Sequence, residues 1–130
     1  MKRVLLVLML AGAAGVASAE WVRAGASSQA DVYADPSTIV RKENSVRMAA
    51  LYDYKAADRA TIFTKSLFSR VAQQEFDCDA ARFRDVRASH YTQRMGTGDL
   101  LHTDSFPGSW QPVTPDSAAA QLRKIACGSN

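Results

Sequence analysis

The chain has 130 residues and two cysteines, and its 16 Lys and Arg against 13 Asp and Glu leave a net charge of +3. Two of those cations, Lys2 and Arg3, sit in a leader expected to be removed, so 14 cations face 13 anions in the mature chain, a net of +1. That balance excludes a global field for nucleic acid or for an anionic membrane.

The leader is read from the N-terminus. Met1-Lys2-Arg3 is a short positive region, Val4–Leu10 is apolar, and Ala17-Ser18-Ala19 is the small-x-small pattern that precedes a cleavage point at Glu20. Residues 1–19 are therefore a secretory signal peptide and 20–130 a single domain. The apolar run is shorter, and richer in Ala and Gly, than the roughly 18–20 residues a membrane span needs, so no integral span is expected after processing. Position 20 is Glu and not Cys, so no lipid anchor is evident, and the product is expected to be periplasmic or extracellular.

Turn residues punctuate the mature chain at short intervals, which is the pattern of an antiparallel meander. Trp21–Ala24 reads as a first strand. Asp31–Ala34 reads as a second, ending in a turn at Asp35-Pro36. Ser45–Tyr54 is the clearest strand, with Val46, Met48, Ala50, Tyr52 and Tyr54 alternating against Arg47, Ala49, Leu51 and Asp53. Ile62–Phe76 is β-rich but of mixed parity, since Arg70 and Gln74 share a face with Phe68 and Phe76. Arg82–Thr92 is charged on both faces and suits an edge or half-exposed strand. Gly96-Thr97-Gly98 reads as a hairpin turn before a last short strand, Leu100–Asp104.

The period changes at the C-terminus. Thr114 is placed to cap a helix, with Pro115 at its first position and Asp116 beside the dipole. Ala118, Leu122 and Ile125 form its apolar stripe, Arg123 and Lys124 lie in the last turn, and Gly128 stands where the helix would stop. The fold class is α+β: an antiparallel sheet of about six strands with one C-terminal helix packed on it. Cys78 and Cys127 are expected to pair, because two cysteines in an exported chain allow one bridge. Cys127 lies about 140° round an ideal helix from Leu122. Either the helix ends before Cys127 or the bridge crosses the helix edge.

Catalytic chemistry finds little support. His90 or His102 with Ser89 or Ser105 could be combined on paper, but none sits in a recognised nucleophile context. Two cysteines and two histidines, all far apart, do not make a zinc site. Glu75, Asp77 and Asp79 lack the ligand count and the turning glycine of a calcium loop. No enzyme activity, metal or cofactor is expected. Trp21, Trp110, Tyr52, Tyr54 and Tyr91 are read mostly as core or sheet–helix contacts. Lys65, Arg70, Arg82 and Arg84 flank Cys78 and are the candidate partner-binding residues; strand alternation puts Arg82 and Arg84 on one face and Arg87 on the other.

The segments EWVRAG, VYADPSTI, RMAALYDY, QEFDCDAARFR, ASHYTQRMGTG and SWQPVTPDSAAAQLRKIACG occur in that order along the mature chain. Together they resemble the surface-adhesin protein E family of Gram-negative bacteria. The resemblance implies a sheet with one packed helix and one disulfide. It also implies no enzymatic activity, and a protein partner that in the family is an extracellular host protein of matrix or plasma. A homodimer is compatible with it. Two features depart from the family pattern: the stretch running into Cys78 keeps only Lys65 and Arg70 as cations, opposed by Glu75 and Asp77, and the leader is not followed by a cysteine. Those departures leave an alternative, a soluble periplasmic or envelope-associated domain that binds a bacterial partner.

Overall fold

The structure is a computed structural model that describes residues 20–58, 65–105 and 107–128. The expected leader, 1–19, and the beginning of the expected strand at Ile62 lie outside the described residues. Among the described residues seven strands follow in chain order: β1 (Val22–Ala26), β2 (Ala30–Lys42), β3 (Ser45–Asp58), β4 (Leu67–Asp77), β5 (Arg82–Tyr91), β6 (Leu100–Asp104) and β7 (Gln111–Pro112). One helix, α1 (Ala118–Cys127), closes the order. All pairings are antiparallel between sequence neighbours in the order β1-β2-β3-β4-β5-β6, and β7 joins β5 beside β6.

The alternation seen in Ser45–Tyr54 sets the inner face. Val46, Met48 and Ala50 of β3 face the same side as Val32 and Ala34 of β2 and Phe76 of β4, and Leu122 and Ala126 of α1 pack onto them. These residues are 0–2% exposed and form one apolar cluster. The opposite face has its own cover over half its length. Arg94–Gly96 makes a 3-10 turn between β5 and β6. Buried Asp53 fastens that turn by accepting from Arg94 Nε at 3.1 Å and Met95 N at 3.0 Å, while Ser69 Oγ accepts from Gly96 N at 2.9 Å. Leu51 is consequently buried although it points away from the helix. The mixed parity of β4 has the same cause: α1 covers even residues such as Ala72 and Phe76, and the 3-10 turn covers the odd side near Ser69 and Val71.

Two local expectations are corrected and two are made specific. Asp35-Pro36 does not end β2; the strand continues to Lys42 through a register shift between Asp35 and Val40. There Asp35 accepts from Ser37 N and Oγ, and Thr38 Oγ1 accepts from Ala49 N, so side chains replace the ladder bonds that proline cannot supply. Of the two readings of Arg82–Thr92 the half-exposed strand holds: β5 lies inside the sheet, and each of its faces is only partly covered. Gly96-Thr97-Gly98 does lie in the hairpin connection between β5 and β6, which also holds the 3-10 turn just described. The helix begins later than expected: Val113 N still bonds Ala81 O in the sheet, Asp116 turns the chain with φ 60°, and Ser117 Oγ caps Ala120 N.

The expected disulfide joins Cys78 to Cys127, with a Cα–Cα distance of 5.7 Å. Cys127 is the last residue of α1, so the bridge leaves from the helix edge. Arg123 supports the same junction by donating to Asp77 O at 3.0 Å and Cys78 O at 2.7 Å. Gly128 follows with φ 87° and returns its N–H to Lys124 O, closing the helix end.

Candidate functional site

Beyond the 3-10 turn, the face opposite the helix carries charge in register rows. Directly paired residues point to the same side of a sheet. The rows across β3, β4 and β5 are Ser45–Asp77–Arg82, Arg47–Glu75–Arg84 and Ala49–Gln73–Arg87. Lys42 of β2 extends the first row. Five cations therefore share this face with Glu75, Asp77 and the buried Asp35.

The pairs are ordered by hydrogen bonds. Glu75, whose side chain is 8% exposed, accepts from Arg47 Nε at 3.0 Å and from Arg84 Nη2 at 3.1 Å. Asp77 accepts from Arg82 Nε at 2.9 Å and from the amides of Asp79 and Ala80. The Ala80 amide, then the Arg82 guanidinium, hold its carboxyl below the ordinary 3.8. Trp110, the residue before β7, meets both arginines, with the guanidinium carbons of Arg82 and Arg84 each 4.5 Å from its ring centroid. A shallow dish beside it is lined by Lys42, Asn44, Ser45 and Glu75.

A bulge completes the surface. The pairing steps from Gln74↔Asp85 to Gln73↔Arg87, so Val86 is an extra residue on β5. Strict alternation would have turned Arg87 to the helix side; the inserted residue returns it to the face of Arg82 and Arg84. Arg87 is exposed and makes no side-chain hydrogen bond or ion pair among the described residues.

The four cations singled out in the sequence are not all brought together. Arg82 and Arg84 share the face with Trp110. Arg70 is on the helix side, bonded to Asp85 at 2.6 Å and stacked over Tyr52 at 4.3 Å. Exposed Lys65 pairs with Asp99 at 2.8 Å at the other end of the sheet. Two arginines were missed. Arg87 needed the bulge, which leaves no signature in the residue types. Arg47 was legible as the polar partner in the alternation of β3. Trp110 is one of the aromatics that lie outside the apolar cluster, half-buried against Arg82 and Arg84.

The residues considered for catalysis are placed as follows. His90 and His102 are cross-strand partners, and their Nε2 atoms share the two oxygens of Asp104 at 3.2 and 2.7 Å. Ser89 points to the other side of β5 from His90 and meets Thr103 Oγ1 at 3.2 Å. Among the described residues no group of three His, Cys, Asp or Glu is set to hold a metal ion, and no helix is long and apolar enough to cross a membrane.

The family model described as surface-adhesin protein E matches residues 21–128. Among solved structures, crystal form II of Haemophilus influenzae protein E gives a TM-score of 0.65 at 16% identity, covering 85% of this chain and 88% of that one. A second structure of Haemophilus influenzae protein E gives 0.61 at 15% identity, covering 85% of each chain. Protein E from non-typeable Haemophilus influenzae gives 0.60 at 15% identity, covering 85% of this chain and 76% of that one. At such identity the likeness is one of fold. No curated protein matches the chain.

Proposed function

Because this chain belongs to the surface-adhesin protein E family, we propose that it is an exported, non-enzymatic module that binds a protein partner, an extracellular host protein of matrix or plasma. The observation that carries the reading is the family match over nearly the whole mature chain. The surface we assign to the partner is the arginine face around Trp110.

The chemistry of that face suits an interface. Arginine and tryptophan are the residues most enriched at the energetic centres of interfaces. Arg82 and Arg84 are held by Asp77, Glu75 and Trp110 before any partner arrives, so little side-chain freedom is lost on binding. Arg87 adds an exposed cation at the margin, where charge acts mainly on the rate of encounter. The partner patch is expected to be acidic. Arg70 and Lys65 fall outside this surface, which narrows the expected binding residues to Arg82 and Arg84, with Arg47, Arg87 and Trp110 added.

Two measurements test the reading. Surface labelling and fractionation of the native cell should place the protein on the outside or in the medium. Recovery from the soluble periplasm alone would overturn the adhesin reading and favour a bacterial partner. Binding to immobilised matrix and plasma proteins should fall about tenfold or more on Arg84→Glu/Arg87→Glu, with salt sensitivity reduced. Unchanged binding would remove this face from the proposal.

A further inference from the structure

The turn between β4 and β5 joins the arginine face to the helix on the other side of the sheet. Residues 77–81 are held there from several directions. Cys78 N donates to Asn44 O at 3.1 Å, in the hairpin that lines the dish beside Trp110. Val113 N donates to Ala81 O at 2.8 Å, which fixes the chain just beyond Trp110. The Cys78 sulfur is bonded to Cys127 at the end of α1. Arg123 of α1 reaches the same turn, with Nε donating to Asp77 O at 3.0 Å and Nη2 to Cys78 O at 2.7 Å.

The two layers meet at Asp77. Its main-chain oxygen takes Arg123 from the helix, while its side chain stands on the opposite face. There Oδ2 accepts from Arg82 Nε at 2.9 Å, and Oδ1 accepts from the amides of Asp79 and Ala80 at 3.0 and 2.9 Å. Arg82 in turn lies against Trp110. A guanidinium is a planar fork, so donors on two successive carbonyls fix the tilt of both peptide units and not only their distance. A peptide unit is itself planar. Turning the one between Asp77 and Cys78 changes ψ of Asp77 and φ of Cys78, and carries the amides of Asp79 and Ala80 away from the carboxylate that holds Arg82.

Arg123 lies near the C-terminal end of α1, where a cation can serve the helix's own final carbonyls. Both of the bonds above go to the turn instead. The bridge alone already ties α1 to Cys78, so the fork adds orientation to an attachment that exists without it. We propose that Arg123 is a positioning residue for the arginine face: by gripping two carbonyls of the turn from the helix side, it keeps Asp77 aligned on Arg82 and Arg82 against Trp110. The inference rests on the reading of that face as the partner-binding surface. It makes the end of α1, on the far side of the sheet, a determinant of affinity.

Two readouts on the full exported chain, with its bridge intact, test the proposal. The first needs no partner. The nitrogen-15 signals of the Trp110 indole, assigned in a Trp21→Phe background, and of Arg82 Nε are compared between parent and variants. Arg123→Ala should shift both signals. Asp77→Asn breaks the same chain of contacts one step further on and should shift them too. Gly96→Ala strains the 3-10 turn at the other end of the sheet, so it lowers stability without reaching residues 77–81 and should leave both signals in place. The second readout is affinity for the same immobilised matrix and plasma proteins. Arg123→Ala should weaken binding about three- to tenfold. Added to Arg82→Ala it should weaken binding no further, because both changes remove one contact; added to Arg87→Ala, the two losses should multiply. The proposal is overturned if Arg123→Ala or Asp77→Asn leaves the signals unmoved, if Gly96→Ala moves them as far, or if the losses from Arg123→Ala and Arg82→Ala multiply. Signals that move in a chain that binds none of these proteins would sink the partner reading and leave the hold of Arg123 on Arg82 standing.

Discussion

Replacing Gly96 by alanine should cost the protein about 3 kcal/mol, and the structure supplies the parts of that figure. Gly96 has φ +69°, a region that costs an L-residue roughly 1–2 kcal/mol. Alanine recovers about 0.4–1 kcal/mol by restricting the unfolded chain. Its Cβ would stand 2.9 Å from Val71 Cγ2 and 3.5 Å from Leu51 Cδ1. Leu51 is at ordinary contact distance, but at 2.9 Å Val71 must shift, so an overpacking cost of about 1–3 kcal/mol is added. Urea unfolding followed by circular dichroism measures the total. A double-mutant cycle separates its parts, because in a Val71→Ala background the same glycine replacement should cost only the backbone share, about 1 kcal/mol. A Gly96→Ala protein within 0.5 kcal/mol of its parent (about the scatter of a neutral surface change), or a cycle with no coupling, would refute the account of the 3-10 turn as a tight cover on the outer face.

Removing the disulfide as Cys78→Ala/Cys127→Ala should cost about 4 kcal/mol, because the bridge closes a loop of 49 residues in the unfolded chain. The native far-UV spectrum should persist, since Leu122 and Ala126 still dock the helix; its loss in the absence of denaturant would show that the bridge itself holds the helix on. Leu122→Ala should cost about 3 kcal/mol by leaving a cavity at the centre of the apolar cluster, measured by the same unfolding midpoint. Asp77 has a folded pKa below its ordinary 3.8, so its stabilisation is complete above the unfolded value and is lost as pH falls through the folded one. Asp77→Asn should therefore be less stable than its parent at pH 7, with the two curves converging as acid protonates the folded carboxyl; a constant gap at all pH values would assign the effect to geometry and not to charge.

The parts of the fold that were legible in the sequence are those in which one local rule acts alone. Alternation in Ser45–Tyr54 fixed the inner face of β3, and the count of cysteines fixed the bridge. Where two rules compete, tertiary contacts decide. Asp35-Pro36 satisfies the rule for a turn, but Ser37 and Thr38 supply enough side-chain hydrogen bonds to carry the strand through. Thr114 and Ser117 are both cap residues, with serine the better, and the bond from Val113 N to Ala81 O holds the chain against the sheet up to the first. The arginine face was half legible. Arg82 and Arg84 follow from period two, but Arg87 depends on where an extra residue enters β5, and no residue type marks that position. The polar cluster on the helix side was not legible, because Tyr52, Arg70, Gln74 and Asp85 come from three strands and meet only through their register.

The bridge also decides which strands bear load if the molecule is stretched. Tension applied between residues 20 and 128 crosses from Cys78 to Cys127 through sulfur and bypasses the 49-residue separation between them. At roughly 3.4 Å per extended residue, about 170 Å of chain cannot be drawn out while the bridge is intact. Strands β1 to β4 carry the force, and β5, β7 and Trp110 ride inside the shielded loop. Arg82, Arg84 and Arg87 therefore keep their covalent tether under a pull that would begin to peel β1 from β2.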